Sequence, residues 1–412
     1  VDFRQQGGLE VKMSNDLTAF NPEIWAADMQ KIFYKENRAL GVANVELRDQ
    51  LSVGDTLHRP YNSYMADQAY TKGQDITTFN DLGTTDEYLT VDTTRVVPFY
   101  VDDIDKIQNK WSAQERFAYQ AQRILNNRLD QVVLGQYSNA RTFISSQDLG
   151  GSGTGSAVIS QANISNMFAV AYRKLESADA PTENLVAFIG PRLLETLKLY
   201  VGSRETGFGD TVSDNGVIGR RFGFELRQTN NTPFTAVITI SGGQPTDGHT
   251  LTIDGVVFTW EANGTNCNVA GEVDLSTTPT GAGDNLVLAI NGTTAGTTAT
   301  YCDVSSNDRK KLRKHGITAT NNAGVVTITG YGDVAIVAGT TNVALTSNTQ
   351  YPVFMMRGAV DLVTQKSPSV EFRTAEKRLG RYVYPWMMYG VKTFDDMKDV
   401  ITYAKVNTAN WV

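Results

Sequence analysis

The chain has 412 residues, 41% of them hydrophobic and 20% charged, with a formal net charge of −7. That length and composition belong to a folded protein with two or three cores, and the negative balance speaks against a general duplex-binding surface. No apolar run reaches the ~20 residues of a membrane-spanning helix. The start, VDFRQQGGLEVK, lacks the apolar stretch of a secretory leader. It opens on Val1, which is compatible with processing or with upstream sequence, and Met13 is an alternative start.

Residues 1 to about 20 are polar and contain Gly7-Gly8, which predicts an extended arm that orders against a partner. Asn21-Pro22 then opens a helix with Ile24, Trp25, Met29, Ile32 and Phe33 on one face. Residues 60–87 carry Tyr61, Tyr64, Tyr70 and Lys72 but few aliphatics. Their flanks, Thr56–Arg59 and Tyr88–Val97, alternate as strands do. A long two-stranded excursion is expected. Isolated ribbons are marginal in water, so this one should find its stability against another subunit. The clearest helix covers 103–136, with apolar positions three and four apart and Asp102, Asp103 and Asp105 at its start. Thirty residues of helix make a rod of ~45 Å. A Gly/Ser loop at 148–156, helices at 161–178 and 190–201, a buried strand at 185–189, a flexible loop at 202–219 and a strand at 222–228 follow.

Composition then changes. From Phe234 to Asn307 there is no Lys or Arg, and Thr, Gly, Asn and Val dominate. Short alternating runs at 236–240, 250–260, 285–290, 324–330 and 334–339 predict strands, and Asp254-Gly255 predicts a type I′ hairpin turn. The reading is an all-β domain inserted over 234–349. Cys267 and Cys302 both lie in it, as free core thiols or as a bridging pair. Arg309, Lys310, Lys311, Arg313 and Lys314 fall in a short helix capped by Asn307 or Asp308, and a contact with a neighbouring subunit is expected there. The host resumes at 351 with apolar strand, a proline-bearing loop and an aromatic-rich strand at 382–391.

The residues nominate no chemistry. His58, His249 and His315 lie in separate regions without metal-ligand spacing. The glycines at 150–156 lack the phosphate-loop lysine, and Ser203 and Ser213 come with no indicated base. Asp395, Asp396 and Asp399 read as a solvated helix face. No catalytic, cofactor or metal residue is assigned, and the protein is expected not to be an enzyme.

In its element order the chain resembles the major capsid proteins of tailed bacteriophages, with the α+β fold first described for the HK97 shell. The resemblance rests on the arm, the excursion, the strand running into a long helix, the compact helical region and the aromatic return strands. Coat proteins of P22-like phages, which carry an inserted β domain, are nearest in layout. The insert itself has the texture of small immunoglobulin-like modules.

The resemblance implies an N-terminal arm (1–50), an extended loop with its flanking strands (51–100) and a spine helix of a peripheral domain (101–145). It implies an axial domain at 146–233 that returns at 350–371, the insert (234–349) between the two, and a peripheral return at 372–412. It implies self-association into hexamers and pentamers of an icosahedral shell around double-stranded DNA. DNA contact would be non-specific, and scaffolding, portal and decoration proteins are further implied partners. The location implied is the virion capsid, assembled in the bacterial cytoplasm, with no membrane. Tyr61, Tyr64, Tyr70, Lys72 and the five basic residues at 309–314 are the intersubunit candidates. A tail or baseplate protein, and a hydrolase with a carbohydrate-binding insert, are the alternative readings.

Overall fold

A computed structural model describes residues 35–48, 51, 54–62, 65–80, 83–103, 113–203, 219–262, 267, 269–292, 300–338, 342–376 and 379–408, all within the unit Lys35–Val412. The expected arm and first helix, Tyr64, Asp105 and most of the 202–219 loop lie outside the described residues.

The first strands, β1 (Thr56–Asn62) and β2 (Thr84–Thr90), pair antiparallel with Thr56 opposite Thr90 and Asn62 opposite Thr84. Next come β3 (Thr93–Val96), β4 (Phe99–Asp102) and helix α1 (Ala113–Gly135). Ala121, Leu125, Leu129 and Val133 recur every four residues on α1 and are buried, so one stripe faces the core. Then follow β5 (Thr142–Ile144), α2 (Ile164–Glu176), β6 (Leu185–Ile189), α3 (Pro191–Gly202), β7 (Arg220–Arg221) and β8 (Phe224–Gln228). Proline at the first position of α3 costs no hydrogen bond and pre-sets the helix. All five residues of β6 are buried, as a strand covered on both faces requires.

The inserted region holds β9 (Pro233–Ile240), β10 (Thr250–Ile253), β11 (Val256–Glu261), β12 (Glu272–Asp274), α4 (Pro279–Asn291), α5 (Ser306–Lys314), β13 (Thr318–Asn322), β14 (Val325–Tyr331), β15 (Ile336–Ala338) and β16 (Val343–Gln350). The chain closes with β17 (Val353–Met356), β18 (Asp361–Thr374), β19 (Gly380–Lys392), β20 (Ile401–Ala404) and β21 (Val406–Asn407).

Two sheets build the host. One is mixed, ordered β5-β20-β17-β6-β8-β7, with α2 and α3 contributing to its core. Phe168 of α2 meets Phe354 edge-on at 5.4 Å and stacks on Phe222 at 5.3 Å. The other is antiparallel, with β19 central, β18 on one side and β3 and β4 in tandem on the other. Helix α1 covers one of its faces, bringing Leu125 and Leu129 into one cluster with Met387 and Tyr389. The stretch 372–412, expected as a peripheral return, contributes strands to three sheets. β19 stays in the antiparallel sheet, β20 enters the mixed sheet, and β21 joins the insert.

The insert leaves and rejoins the host at one point, where the Tyr351 N–H donates to the Pro233 carbonyl at 2.9 Å. It has two sheets, β13-β14-β9-β16-β21 and β12-β11-β10-β15, around its own core of Trp260, Phe258, Ile238 and Val326. Asp254 (φ 50) and Gly255 (φ 74) form the expected primed turn. The module is not all β, however. Residues 285–290, expected as a strand, belong to α4. Thr278 caps that helix by accepting from Gly281 N, Pro279 sits in its first turn, and Gly292 ends it in the left-handed region. Ala282, Leu286, Ala289 and Ile290 share its buried side. A short apolar run does not distinguish helix from strand, and the caps outside it decided.

The host grips the insert closely. β21 extends the five-stranded sheet, Arg192 pairs with Asp333 at 2.9 Å, and Tyr137 stacks on Tyr351 at 4.7 Å. Lys35 donates to the carbonyls of Asn230 (2.9 Å) and Tyr331 (3.3 Å), and burial pulls its pKa down to about 8. Asp130 of α1, buried, accepts from the amides of Ala39 (2.6 Å) and Leu40 (3.3 Å) and from the Asn231 side chain (2.9 Å). One carboxylate thus ties the start of the described chain, α1 and the linker to the insert.

Candidate assembly surfaces

Residues 65–80 extend the β1–β2 ribbon and are exposed throughout. Asn80 closes the two arms, accepting from Ala66 N at 3.3 Å and donating to Ala66 O at 2.7 Å, while Gln68 donates to Thr78 O at 2.7 Å. Met65, Tyr70, Ile76 and Phe79 are each more than half exposed, Phe79 at 80%. Tyr70 and Lys72 lie exposed on this segment, whereas Tyr61 is half-buried in β1 at the ribbon's base, so the structure puts these three candidates on one ribbon without bringing Tyr61 to the other two.

The root of the ribbon is clamped to the antiparallel sheet. Arg59 of β1 reaches Asp396 at 3.0 Å and Asp361 at 3.6 Å, and lies 4.9 Å above the Phe394 ring. From the other side Lys392 donates to Tyr88 O at 2.8 Å, sits 3.6 Å from Glu87 and 5.2 Å over the same ring. Gly390 permits the approach, because a Cβ there would collide with the Thr90 carbonyl oxygen. The carboxylates 395, 396 and 399, expected as a solvated face, are instead ion-paired. Asp395 and Asp399 hold Arg141 at 2.6 and 2.7 Å, and Asp396 holds Arg59. Asp395 also pairs with Lys398 three residues on, at 3.1 Å, but the arginine partners lie more than 250 residues away in sequence, out of reach of any local reading.

A second surface was not predicted. On β19, Val383, Pro385, Met387 and Tyr389 are buried, while Tyr382, Tyr384, Trp386 and Met388 are half-buried, so the two sets face opposite ways. The register puts Tyr100, Val96, Lys366, Glu371 and Arg373 on the same face as the second set. Tyr100 and Tyr382 lie 5.2 Å apart, Arg373 lies over Tyr384, Lys366 lies over Trp386, and the indole N–H donates to Glu371 at 2.8 Å. This face is turned away from α1; at Met388 it packs against the ribbon root, in one cluster with Leu47, Leu51, Leu89 and Phe394, and Tyr382, Tyr384 and Trp386 lie half-buried beyond it. The alternation in RYVYPWMMYG carried the signal, but only the position of α1 says which half is outside.

The basic segment divides. Arg309 is buried and donates to the carbonyls of Ile290 (2.7 Å) and Ala289 (2.8 Å), and it also pairs with Asp303. It caps the C-terminus of α4 and is not a surface contact. Its guanidinium matches a helix end whose last carbonyls have no partner. Lys310, Lys311, Arg313 and Lys314 are exposed on α5, whose cap is Ser305, reached by Asp308 N at 3.2 Å, and not Asn307 or Asp308. The histidines stay apart: His58 meets Asp86 at 2.6 Å, and His315 meets Asp254 at 3.4 Å. Cys267 and Cys302 are free thiols, and the Cys302 sulfur donates to the Cys267 carbonyl at 2.7 Å. Burial raises both thiol pKa values, an inert setting.

The sequence matches no family model and no curated protein. Solved structures do match across nearly the whole chain. One is from Mycobacterium phage Che8, at 14% identity and a TM-score of 0.55, covering 93% of this chain and 97% of that one. Another is the capsid structure of cyanophage P-SCSP1u, at 13% identity and 0.55, covering 95% and 94%. A third is the asymmetric unit of the mature capsid of bacteriophage PhiM1, at 13% identity and 0.51, covering 94% and 92%. The chain shares its α+β fold with these chains.

Proposed function

We propose that this chain is the major capsid protein of a tailed bacteriophage, a structural subunit that assembles with copies of itself into a closed shell around DNA. The observation that carries the reading is a pair of unsatisfied surfaces on the fold of phage shells. Residues 65–80 project with Met65, Tyr70, Ile76 and Phe79 each more than half exposed, and the antiparallel sheet presents Tyr382, Tyr384 and Trp386, half-buried, on the face turned away from α1. A monomer gains nothing by ordering such a ribbon. A ring of copies gains the burial of both surfaces, worth ~25 cal/mol per Å² of apolar area.

In the HK97-type plan the antiparallel sheet with α1 is the peripheral domain, the mixed sheet with α2 and α3 is the axial domain, and β1–β2 with 65–80 is the extended loop. The insert at 234–349 is then a decoration of the axial half. The Arg59–Phe394–Lys392 clamp sets the angle at which the loop leaves its own subunit. Lys72, at the exposed turn, is the lysine placed to touch the next subunit.

The test is to express the full chain and image what sediments. Closed shells of one size class built from this chain are expected. Tubes or open rings would replace the reading with a tail or baseplate protein, and a small soluble oligomer would end it.

A further inference from the structure

The insert separates its charges. Between Phe234 and Asp308 there are eight carboxylates and no Lys or Arg, and the cations that follow all lie on α5. Lys311 is held by Asp308 at 2.8 Å. Lys310, Arg313 and Lys314, at i, i+3 and i+4, share an exposed flank, and among the described residues none of them is within ion-pair distance of a carboxylate.

The acidic residues converge elsewhere. β11 alternates buried and outward residues, which places Glu261 outward, and Glu272 and Asp274 flank the buried Val273 on β12. The parallel register sets Glu261 beside Asp274 and Thr259 beside Glu272, so the three carboxylates occupy one corner of the outer face. Asp247 adjoins it, accepting from Ala262 N at 2.9 Å. The Glu261 carboxyl is held above its ordinary value, by desolvation first and then by Asp247 and Glu272.

Within one copy no ion pair joins the two patches among the described residues. The C-terminal end of α5 lies at the Asp254-Gly255 turn, since His315, next after Lys314, is 3.4 Å from Asp254. Glu261 is at the far end of β11 from that turn. Five strand steps of ~3.3 Å put Glu261 roughly 17 Å from the Lys314 end of α5, about twice the screening length at physiological salt. Nor does the module swing freely to find a partner, because β21, the Arg192–Asp333 pair and Lys35 fix it to the host.

We propose that the insert is a subunit-to-subunit clasp: the basic flank of α5 (Lys310, Arg313, Lys314) seats on the acidic corner (Glu261, Glu272, Asp274) of a second copy's insert. The contact is head-to-tail, the type that closes rings around a symmetry axis. It rests on the shell reading, which supplies the second copy, and it assigns the inserted module a role in that shell.

A charge swap tests it in the full chain. One variant carries Lys310→Glu, Arg313→Glu and Lys314→Glu, a second carries Glu261→Lys and Glu272→Lys, and a third carries both sets. Particle fraction is read by sedimentation at about 50 mM and about 500 mM NaCl. Each one-sided reversal is expected to lower the particle fraction roughly tenfold at low salt and less at high salt, and the chain with both sets should recover. Thermal unfolding of the unassembled subunit checks the fold of each variant. If a triple variant misfolds, Arg313→Glu paired with Glu261→Arg gives the same contrast. Unchanged assembly of the one-sided variants, or a two-sided chain no better than the worse of them, overturns the proposal. So does a loss confined to DNA content, which would put the basic flank against nucleic acid. If the wild-type chain forms no particles at either salt, the shell reading itself fails and the clasp falls with it.

Discussion

Asp361 offers a quantitative test of how the ribbon root is held. Its side chain is 1% exposed, Oδ1 accepts from Asn44 at 2.6 Å, and Oδ2 has no hydrogen-bond partner, only Arg59 at 3.6 Å. Burial raises its pKa from 3.8 to about 6, opposed by Arg59 and Asn44 and reinforced by Asp396 and Glu46. A folded-state pKa above the unfolded value means a contribution to stability that is complete below pH ~4 and lost as pH rises through about 6. Two units at about 1.4 kcal/mol each make the ionised carboxylate cost about 3 kcal/mol at neutral pH. Asp361→Asn keeps the acceptor for Asn44 and carries no charge at any pH. It should therefore be more stable than wild type by about 3 kcal/mol near pH 7.5 and nearly equal to it near pH 4. Urea unfolding of the unassembled subunit at both pH values, followed by tryptophan fluorescence, measures the difference. A variant no more stable than wild type at neutral pH would mean that the Arg59 attraction outweighs desolvation, and the reasoning would be wrong.

Other substitutions probe other joints. Arg309→Ala strips two carbonyls at the end of α4 of their donor and should destabilise the insert by about 3 kcal/mol, seen as faster amide exchange in 279–291 with the mixed-sheet amides unaffected. Gly390→Ala drives a methyl group into the Thr90 carbonyl and should cost about 1–3 kcal/mol, with increased protease cleavage in 56–90 as the local readout. Phe79→Asp should leave the unfolding midpoint of the unassembled subunit unchanged while particle yield collapses, because Phe79 is 80% exposed within its own chain. A drop in that midpoint would show that Phe79 packs internally.

Much of the architecture is written in local pattern. Apolar residues every three or four positions in 113–135 and 164–176, an unbroken apolar run at 185–189, and the Asp254-Gly255 pair each dictate an element through backbone sterics and one-sided burial. The loss of Lys and Arg after Phe234 marks the insert, since a separate core has its own composition. What local pattern could not settle were the choices made between distant segments. The run at 285–290 became helix because Thr278, Pro279 and Gly292 flank it and Arg309, 19 residues after Ile290, supplies the missing donor. Whether Arg309 was surface or core, which side of β19 α1 would cover, and that β21 would complete the insert's sheet all depend on which pairs meet in space. Such long-range pairs carry no periodic signature, because each is fixed by the packing of whole layers. The sequence by itself therefore determined the elements and their order, while the tertiary structure alone decided which faces were left open for another copy.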